Sequence, residues 1–203
     1  MKVRLTFAEG LLGTKCTDPD PLKTYIAGKA PTAELTDAEV AAVPKPVNVE
    51  EEVFKGTTVF ARTENGEGDP FVYDYQIKGF FKDACSMLRR VKAMRSEKLA
   101  AYKKVIDGLI FPTPREIRLT LPTGGALGIC ERPMRTSGPT GERVALSRSE
   151  EAPAGTTIEF SVNYLQDNLD KMILEWLDYG ALRGLGQWRN SGMGRFTYEV
   201  LTT

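Results

Sequence analysis

The sequence contains no histidine among its 203 residues. Histidine is the side chain most often used for general acid–base catalysis, and Ser-His-Asp and Cys-His nucleophile systems depend on it. It is also the commonest metal ligand. Its absence therefore excludes these catalytic mechanisms and any metal site built on imidazole groups.

Cysteine is scarce. Cys16, Cys85 and Cys130 are the three present, and they lie far apart with no Cys-x-x-Cys pair. This spacing fits neither the disulfide framework of a small secreted domain nor the ligand pattern of a zinc site. We therefore expect a reducing, cytoplasmic setting, and no bound metal or other cofactor.

The sequence also lacks a long apolar run and an excess of charge. No stretch could span a bilayer, and the first residues lack the apolar segment of a signal peptide. Lys and Arg together number 27, and so do Asp and Glu, so the net charge is zero and does not predict a polyanionic partner. Such a partner can be inferred only from how the charges are distributed along the chain. The length fits one domain over residues 1–203, and 41% apolar residues allow a hydrophobic core.

Residues 28–56 differ from their surroundings because they combine several prolines with an excess of Asp and Glu. We interpret them as an acidic segment inserted in the domain. Within it, the run Thr36-Asp37-Ala38-Glu39 predicts the start of a short helix that continues to Val43. Two interpretations stay open: the segment packs on a neighbouring subunit, or it forms a solvated acidic flap.

Apolar periodicity predicts the order of strands and helices. Strands are expected at residues 2–8, 57–62, 71–77, 116–121, 127–131, 142–147, 156–164 and 195–201. The main helices are expected at residues 78–107, either unbroken or interrupted near Arg95-Ser96, and at residues 167–182. Asn65-Gly66 predicts a hairpin turn, and residues 132–140 predict a loop in a second, long hairpin. The order is an elaborated β-α-β-β-α-β pattern, which indicates an α+β, ferredoxin-like (RRM-like) antiparallel sheet with both helices on one face.

A glycine-rich stretch between the last helix and the last strand reads GALRGLGQWRNSGMGRF. Glycine permits positive φ and leaves N–H groups uncovered, and arginine offers forked donors, so the stretch could hold an anion. The alternative is a flexible connector with solvated arginines. It is neither a Walker loop, because no Gly-Lys-Ser/Thr follows, nor a dinucleotide fingerprint, because that motif opens a helix after a strand.

The predicted helix over residues 78–107 is strongly basic on one face. Between Lys78 and Lys104, nine lysines and arginines stand against Asp83 and Glu97. A charged face is usually only a solvated one, but a one-sided face in a neutral protein favours a polyanionic partner.

Two stretches together resemble the RAMP superfamily of CRISPR-associated proteins. One is GLGQWRNSGMGRFTYEV, and the other is YQIKGFFKDACSMLRR, where a strand runs into a basic helix through Lys78-Gly79. Members of the superfamily have a C-terminal loop of the form G-x-G-x-x-x-x-x-G-x-G-R. The residues that match it here are Gly184, Gly186, Gly192, Gly194 and Arg195. Many members also have a Pro-Gly-Ser-Ser-x-Lys-Gly turn before the first helix, of which this chain lacks the serines.

The resemblance implies an RRM-like core and a backbone subunit that polymerises along guide RNA in antiviral defence. Its implied partners are RNA, copies of itself and other subunits of a ribonucleoprotein. Members that process crRNA usually use a histidine, which is missing here. Some backbone subunits cut target RNA with an aspartate in the loop after the first strand, where Asp18 and Asp20 lie, although an Asp-Pro turn explains both residues equally well. A stand-alone viral or prophage relative, with a structural or inhibitory role, also fits.

We expect the basic side chains and the glycine-rich loop to bind RNA phosphates without reading the base sequence. The expected contact residues are Lys78, Lys82, Arg89, Arg183, Gly184, Gly186, Trp188, Arg189, Gly192, Gly194 and Arg195. Trp188, or instead Tyr73 and Tyr75, is expected to stack on a base, and burial of Trp188 against the sheet is the alternative. Catalysis has only Asp18 and Asp20 as candidates, so an enzymatic role is the less favoured expectation.

Overall fold

The computed structural model describes residues 1–18, 26, 32–44, 56–138 and 141–201, with residues 136–138, 142, 143 and 145 described by their backbone alone. The strands are β1 (Lys2–Phe7), β2 (Leu11–Leu12), β3 (Lys15–Cys16), β4 (Thr57–Val59), β5 (Ala61–Arg62), β6 (Pro70–Tyr73), β7 (Ile110–Thr113), β8 (Glu116–Thr120), β9 (Gly128–Gly138), β10 (Gly141–Ala152), β11 (Thr157–Tyr164) and β12 (Phe196–Leu201). The α-helices are α1 (Ala33–Ala41), α2 (Asp74–Leu88), α3 (Tyr102–Leu109) and α4 (Leu169–Arg183). Shorter helical turns lie at Thr63–Gly66, Arg95–Lys98 and Arg189–Ser191.

The contacts divide the chain into two units. Unit 1 comprises Met1–Leu11, Val72–Gly124 and the described residues from Ala154 onward, and unit 2 comprises the described residues of Leu12–Phe71 and Gly125–Pro153. The expectation of one domain over residues 1–203, with residues 28–56 inserted, stays a prediction. No helix in the described part of the chain is long and apolar enough to cross a membrane.

Unit 1 contains an antiparallel sheet in which β1 lies between β12 and β11. The side chains of Val3, Leu5 and Phe7 are at most 1% exposed, while Arg4 alternates with them on the other face. Strands β7 and β8 pair with successive lengths of β11, also antiparallel. The period-2 alternation of β1 thus produces a sheet with one buried face.

Helices α2 and α4 share the core on that buried face. The Phe80 ring of α2 lies 5.8 Å from the ring of Phe196, and the Phe81 ring lies 5.4 Å from Trp176 of α4. Phe196 in turn makes an edge-to-face contact of 6.1 Å with Phe7 of β1. Tilted and edge-to-face rings are the arrangement that stabilises buried aromatic pairs. This packing confirms the predicted α+β, ferredoxin-like fold.

Unit 2 is built around the predicted long hairpin of β9 and β10, whose register pairs Gly138 with Gly141 and Gly128 with Glu151. The prediction of a loop at residues 132–140 is wrong, because β9 continues to Gly138. Within the described ranges β9 pairs with β10 alone, so the missing N–H of Pro133 is tolerated as on other edge strands. Strand β4 pairs with β10 in parallel and with β3 in antiparallel orientation.

The first hairpin, between β5 and β6, is confirmed with Ala61 opposite Phe71. Its turn places Glu64 and Asn65 in the left-handed region, with φ of 53° and 55°. The return strand predicted over residues 71–77 is shorter, since β6 ends at Tyr73 and α2 begins at Asp74. The reason is local: the Gln76 carboxamide accepts a 2.6 Å hydrogen bond from the Tyr73 N–H, which satisfies a donor at the helix start.

Of the two alternatives for residues 78–107, the prediction of one unbroken helix is wrong, and the prediction of an interruption near Arg95-Ser96 is confirmed. Helix α2 ends at Leu88, a 3-10 turn occupies Arg95–Lys98, and α3 begins at Tyr102. Ala93 and Ala101 have left-handed φ angles of 68° and 47°, which an α-helix cannot contain.

Helix α1 lies in the predicted acidic segment, and Thr32 caps it by accepting the Leu35 N–H at 3.3 Å. The helix therefore starts before the predicted run at Thr36. Glu39 is 2% exposed and pairs with the Lys15 Nζ at 3.1 Å. The interpretation of this segment as a solvated flap is thus wrong at Glu39.

Candidate nucleic-acid interface

The glycine-rich loop joins α4 to β12 and has four glycines in left-handed conformations. Their φ angles are 85° at Gly184, 83° at Gly186, 88° at Gly192 and 70° at Gly194. A Cβ on Gly184 would lie 2.4 Å from the Met193 carbonyl oxygen, and a Cβ on Gly194 would lie 2.0 Å from that of Leu185. Because both obstacles are backbone atoms, the loop closes on itself as a packed turn that needs these two glycines.

Backbone hydrogen bonds inside unit 1 occupy several N–H groups of this loop. The N–H groups of Gly184, Gly192 and Gly194 donate bonds of 2.8, 3.1 and 2.9 Å to backbone carbonyl oxygens. The expectation that uncovered N–H groups hold an anion is therefore not met at these three glycines. The arginine side chains of the loop are further groups that could bind an anion.

Two of these arginines converge on one carboxylate of α2. The Arg189 Nη1 donates a 2.7 Å hydrogen bond to the Asp83 Oδ2, and the Arg183 Nε lies 3.9 Å from the same oxygen. Arg183 also donates a 2.6 Å bond to the Asn190 side chain. About a quarter of each arginine side chain and a third of the Asp83 side chain are exposed. Two guanidinium groups around one carboxylate leave a net positive charge at the junction of loop and helix.

The two lysines of α2 lie beside α3. The Lys82 Nζ is 2.5 Å from the Asp107 Oδ1, and the Lys78 Nζ donates a 3.1 Å bond to the Asp107 carbonyl oxygen. Lys78 also lies 4.7 Å from the centroid of the Phe111 ring. These two cations therefore form a second group on the same helix, which we call the lysine pair.

Arg89 and Arg195 make separate contacts. The Arg89 guanidinium carbon lies 5.1 Å from the centroid of the Tyr102 ring, a cation–π geometry. The Arg195 Nε donates a 3.0 Å bond to the Leu182 carbonyl oxygen, and its side chain is exposed. Both residues belong to unit 1 with the other expected contact residues.

Trp188 has a left-handed φ of 54° and is 38% exposed. This exposure contradicts the alternative of full burial against the sheet, and it leaves aromatic surface for stacking. Tyr73 offers no such surface, because it is 2% exposed and stacks on Tyr75 with ring centroids 5.1 Å apart.

Asp83 and Asp107 are the residues that sequence reasoning missed. In the charge count along the basic helix, Asp83 was one of two acidic residues among nine basic ones. Asp107 was not included in that count. Sequence periodicity cannot predict the ion pairs of Asp83 with Arg183 and Arg189, because these arginines lie about a hundred residues further along the chain. The lysine pair on Asp107 depends on the turn that brings α3 beside α2.

The candidate catalytic aspartates have a different placement. Asp18 follows β3, is partly buried and belongs to unit 2, whereas Asp20 lies outside the described residues. Among the residues that the structure describes, no group of three or more Cys, Asp or Glu side chains could hold a metal ion. RNA cleavage by these aspartates stays a prediction.

Comparison with known proteins gives a likeness of fold. No family model matches the sequence, and none of the curated proteins matches it either. A chain in the cryo-EM structure of the Type III-B Cmr-beta bound to cognate target RNA superposes with a TM-score of 0.53 at 14% identity. The match covers 98% of this chain and 58% of that one, so our chain spans under three fifths of its neighbour's length. A chain of a Type IV-B CRISPR complex matches with a TM-score of 0.46 at 11% identity, over 100% of this chain and 90% of that one.

Proposed function

We propose that the chain is an RNA-binding subunit of a CRISPR-type effector ribonucleoprotein, which holds guide RNA by its backbone. The observation that carries this proposal is the convergence of Arg183 and Arg189 on Asp83. It joins the glycine-rich loop to the basic helix α2, the two features that the sequence resemblance associates with RNA. The shared fold with a chain of the RNA-bound Cmr-beta complex supports the same proposal.

The binding would be electrostatic. Arg183 and Arg189 offer forked donors, and a backbone phosphate competes with the Asp83 carboxylate for them. Lys78 and Lys82 offer compact cations on the same helix. Contacts of this kind fix the path of the strand without reading its sequence, and Trp188 adds a face on which any base can stack.

The same proposal extends to the assembly. A subunit that follows guide RNA regularly would sit beside further copies of itself and beside other subunits of the particle, in the cytoplasm. The neighbouring copies would each contact a short length of RNA, so binding to a long strand would be cooperative.

The decisive experiment is the salt dependence of binding to a fluorescently labelled single-stranded RNA, measured by anisotropy with two unrelated base sequences. With about five phosphate contacts, the logarithm of the association constant should fall with the logarithm of KCl concentration at a slope of about −3 to −4. The Arg183→Gln/Arg189→Gln variant should make the slope shallower by about 1.4, because two contacts are removed. Both RNA sequences should give the same result.

The matched control is Arg4→Gln, which also removes a cation but on the opposite face of the sheet, where Arg4 pairs with Glu159. Its slope and affinity should equal those of the unaltered protein. The proposal would be rejected by an unaltered protein that shows no salt-dependent RNA binding, or by an arginine variant that binds as tightly as the control.

A further inference from the structure

The end of α2 and the 3-10 turn that follows it expose three large apolar side chains. Met87 is 42% exposed, Val91 45% and Met94 38%. The chain is nevertheless anchored here, because the Ser96 side chain is fully buried and donates a 2.6 Å hydrogen bond to Glu175 of α4. Several large apolar side chains exposed within one short stretch are typical of a surface that another molecule covers. We call residues 87–98 the basic segment.

Four exposed cations accompany these apolar side chains in the basic segment. No ion pair involves their side chains within the described part of the chain. Against them stands one carboxylate, Glu97, which accepts the Ala93 N–H at 3.0 Å. Cations without a partner in the chain, next to apolar surface, fit a binding partner that is acidic and partly apolar. The four cations are Arg90, Lys92, Arg95 and Lys98.

A protein surface fits the basic segment better than RNA does. Phosphates would use the cations, but bases stack on aromatic rings, and residues 87–98 contain none. Methionine, by contrast, is flexible and polarizable, and it is common where one protein binds another. Met87 and Met94 therefore favour an apolar protein partner over a nucleic acid.

Helix α1 has a surface of the complementary kind. Its exposed residues Glu34, Asp37, Ala38 and Ala41 are spaced so that they share one face, which we call the acidic face. The helix contains no lysine or arginine, and neither exposed carboxylate forms an ion pair within the described ranges. Glu39 is buried with Lys15 and so fixes the rest of the helix in unit 2. The two alanines are small enough to let larger apolar side chains approach the helix closely.

We infer that the acidic face of α1 binds the basic segment of a second copy of this chain. The exposed methionines and valine would pack against the two alanines, and the cations would surround Glu34 and Asp37. Because the two surfaces differ, the contact is heterologous and can repeat from one copy to the next. This inference rests on the side-by-side assembly in the proposed function and adds the surfaces that meet. Neither surface contains an expected RNA-contact residue.

Sedimentation velocity of the RNA-free full chain, over a series of protein concentrations at low salt, tests the inference. Species larger than one chain should form, and they should dissociate as KCl is raised, because salt screens the ion pairs. The triple variant Arg90→Glu/Lys92→Glu/Lys98→Glu and the double variant Glu34→Lys/Asp37→Lys should each lower the association constant at least about tenfold, since repulsion replaces attraction. An equal mixture of the two variants should associate again, because each offers the surface that the other lacks.

The matched control is Glu9→Lys/Glu116→Lys, which reverses two exposed carboxylates that belong to neither surface and should associate like the unaltered protein. Met87→Ser/Val91→Ser should weaken association and leave RNA affinity unchanged. If it instead lowers RNA affinity and not association, the basic segment binds RNA and the inference is overturned.

A mixture of the two charge variants that stays monomeric would also overturn the inference, and so would an equal loss in the control variant. An unaltered protein that stays monomeric but binds RNA with the expected salt dependence would overturn this inference alone. The proposed RNA binding is judged separately, by the Arg183→Gln/Arg189→Gln variant.

Discussion

The indole Nε1 of Trp176 donates a 2.8 Å hydrogen bond to the hydroxyl oxygen of Ser96, eighty residues earlier in the chain. Both residues are fully buried. The Ser96 hydroxyl donates in turn to the Glu175 Oε1 at 2.6 Å, and Glu175 also accepts the backbone N–H groups of Arg95 and Ser96. This network holds the 3-10 turn against α4 and explains why the basic segment is not one continuous helix.

Ser96→Ala should destabilise the protein by about 1–3 kcal/mol, because it leaves the buried Trp176 N–H without its acceptor. Urea unfolding followed by tryptophan fluorescence measures this loss. Ser191→Ala is the control, since Ser191 is exposed in the second 3-10 turn, and its effect should stay within about 0.5 kcal/mol. Equal stabilities of the two variants would show that the network does not hold the turn.

The same network shows where sequence reasoning succeeds and where it stops. Strand β1 and helix α4 were predicted correctly because each buries one face. The spacing of apolar residues, every second residue in a strand and every three to four in a helix, identifies that face. The interruption near Arg95-Ser96 was only one of two alternatives, and the helix end at Leu88 was not located, because the turn that follows is held by Glu175 from a distant helix. The start of α2 was obscured because residues 71–77 alternate like a strand, while a single carboxamide at Gln76 decides the boundary.

Glu39→Gln should cost about 3–5 kcal/mol of unfolding free energy, because it removes a carboxylate that pairs with the buried Lys15 ammonium group. The double variant Lys15→Met/Glu39→Leu should recover most of this loss, since it replaces both members of the buried ion pair with apolar side chains. Glu34→Gln on the exposed side of the same helix should change little. Chemical denaturation of the four proteins measures these differences, and a double variant as unstable as Glu39→Gln would contradict the argument.

Arg183 and Arg189 were among the residues named from the sequence, but their convergence on Asp83 was not predicted. Glycine and arginine spacing indicated the loop, and charge counting indicated the helix, because both are local properties. The carboxylates that organise the cations, Asp83 and Asp107, act through contacts between separate elements.

Tyr198 should ionise at unusually high pH. Burial, together with the 2.7 Å hydrogen bond that its hydroxyl donates to Asp178, raises the pKa of Tyr198 to about 12. Because the folded pKa lies above the unfolded value of about 10, the contribution of this tyrosine to stability is complete below pH 10 and is lost as the pH rises toward 12. A phenolate absorbance titration of the protein minus that of Tyr198→Phe gives this pKa directly.

Asp178→Asn provides the check on the cause, since it keeps an acceptor near the phenol but removes the negative charge. The pKa of Tyr198 should then move back toward 10. If Tyr198 titrates near 10 in the unaltered protein, the hydrogen bond between β12 and α4 is not formed in solution.

Asp83→Asn should strengthen RNA binding. The Asp83 carboxylate occupies Arg183 and Arg189 and repels an approaching phosphate, while asparagine keeps an oxygen that can accept the Arg189 hydrogen bond. A like charge about 4 Å away costs about 1 kcal/mol in water, so its removal should lower the dissociation constant about fivefold at low salt. The gain should fade as KCl is raised, since exposed charges are screened. Glu97→Gln, which removes an exposed carboxylate outside this cluster, is the control and should bind as the unaltered protein does. Weaker binding by Asp83→Asn would instead show that the carboxylate is needed to hold the arginines in place for RNA.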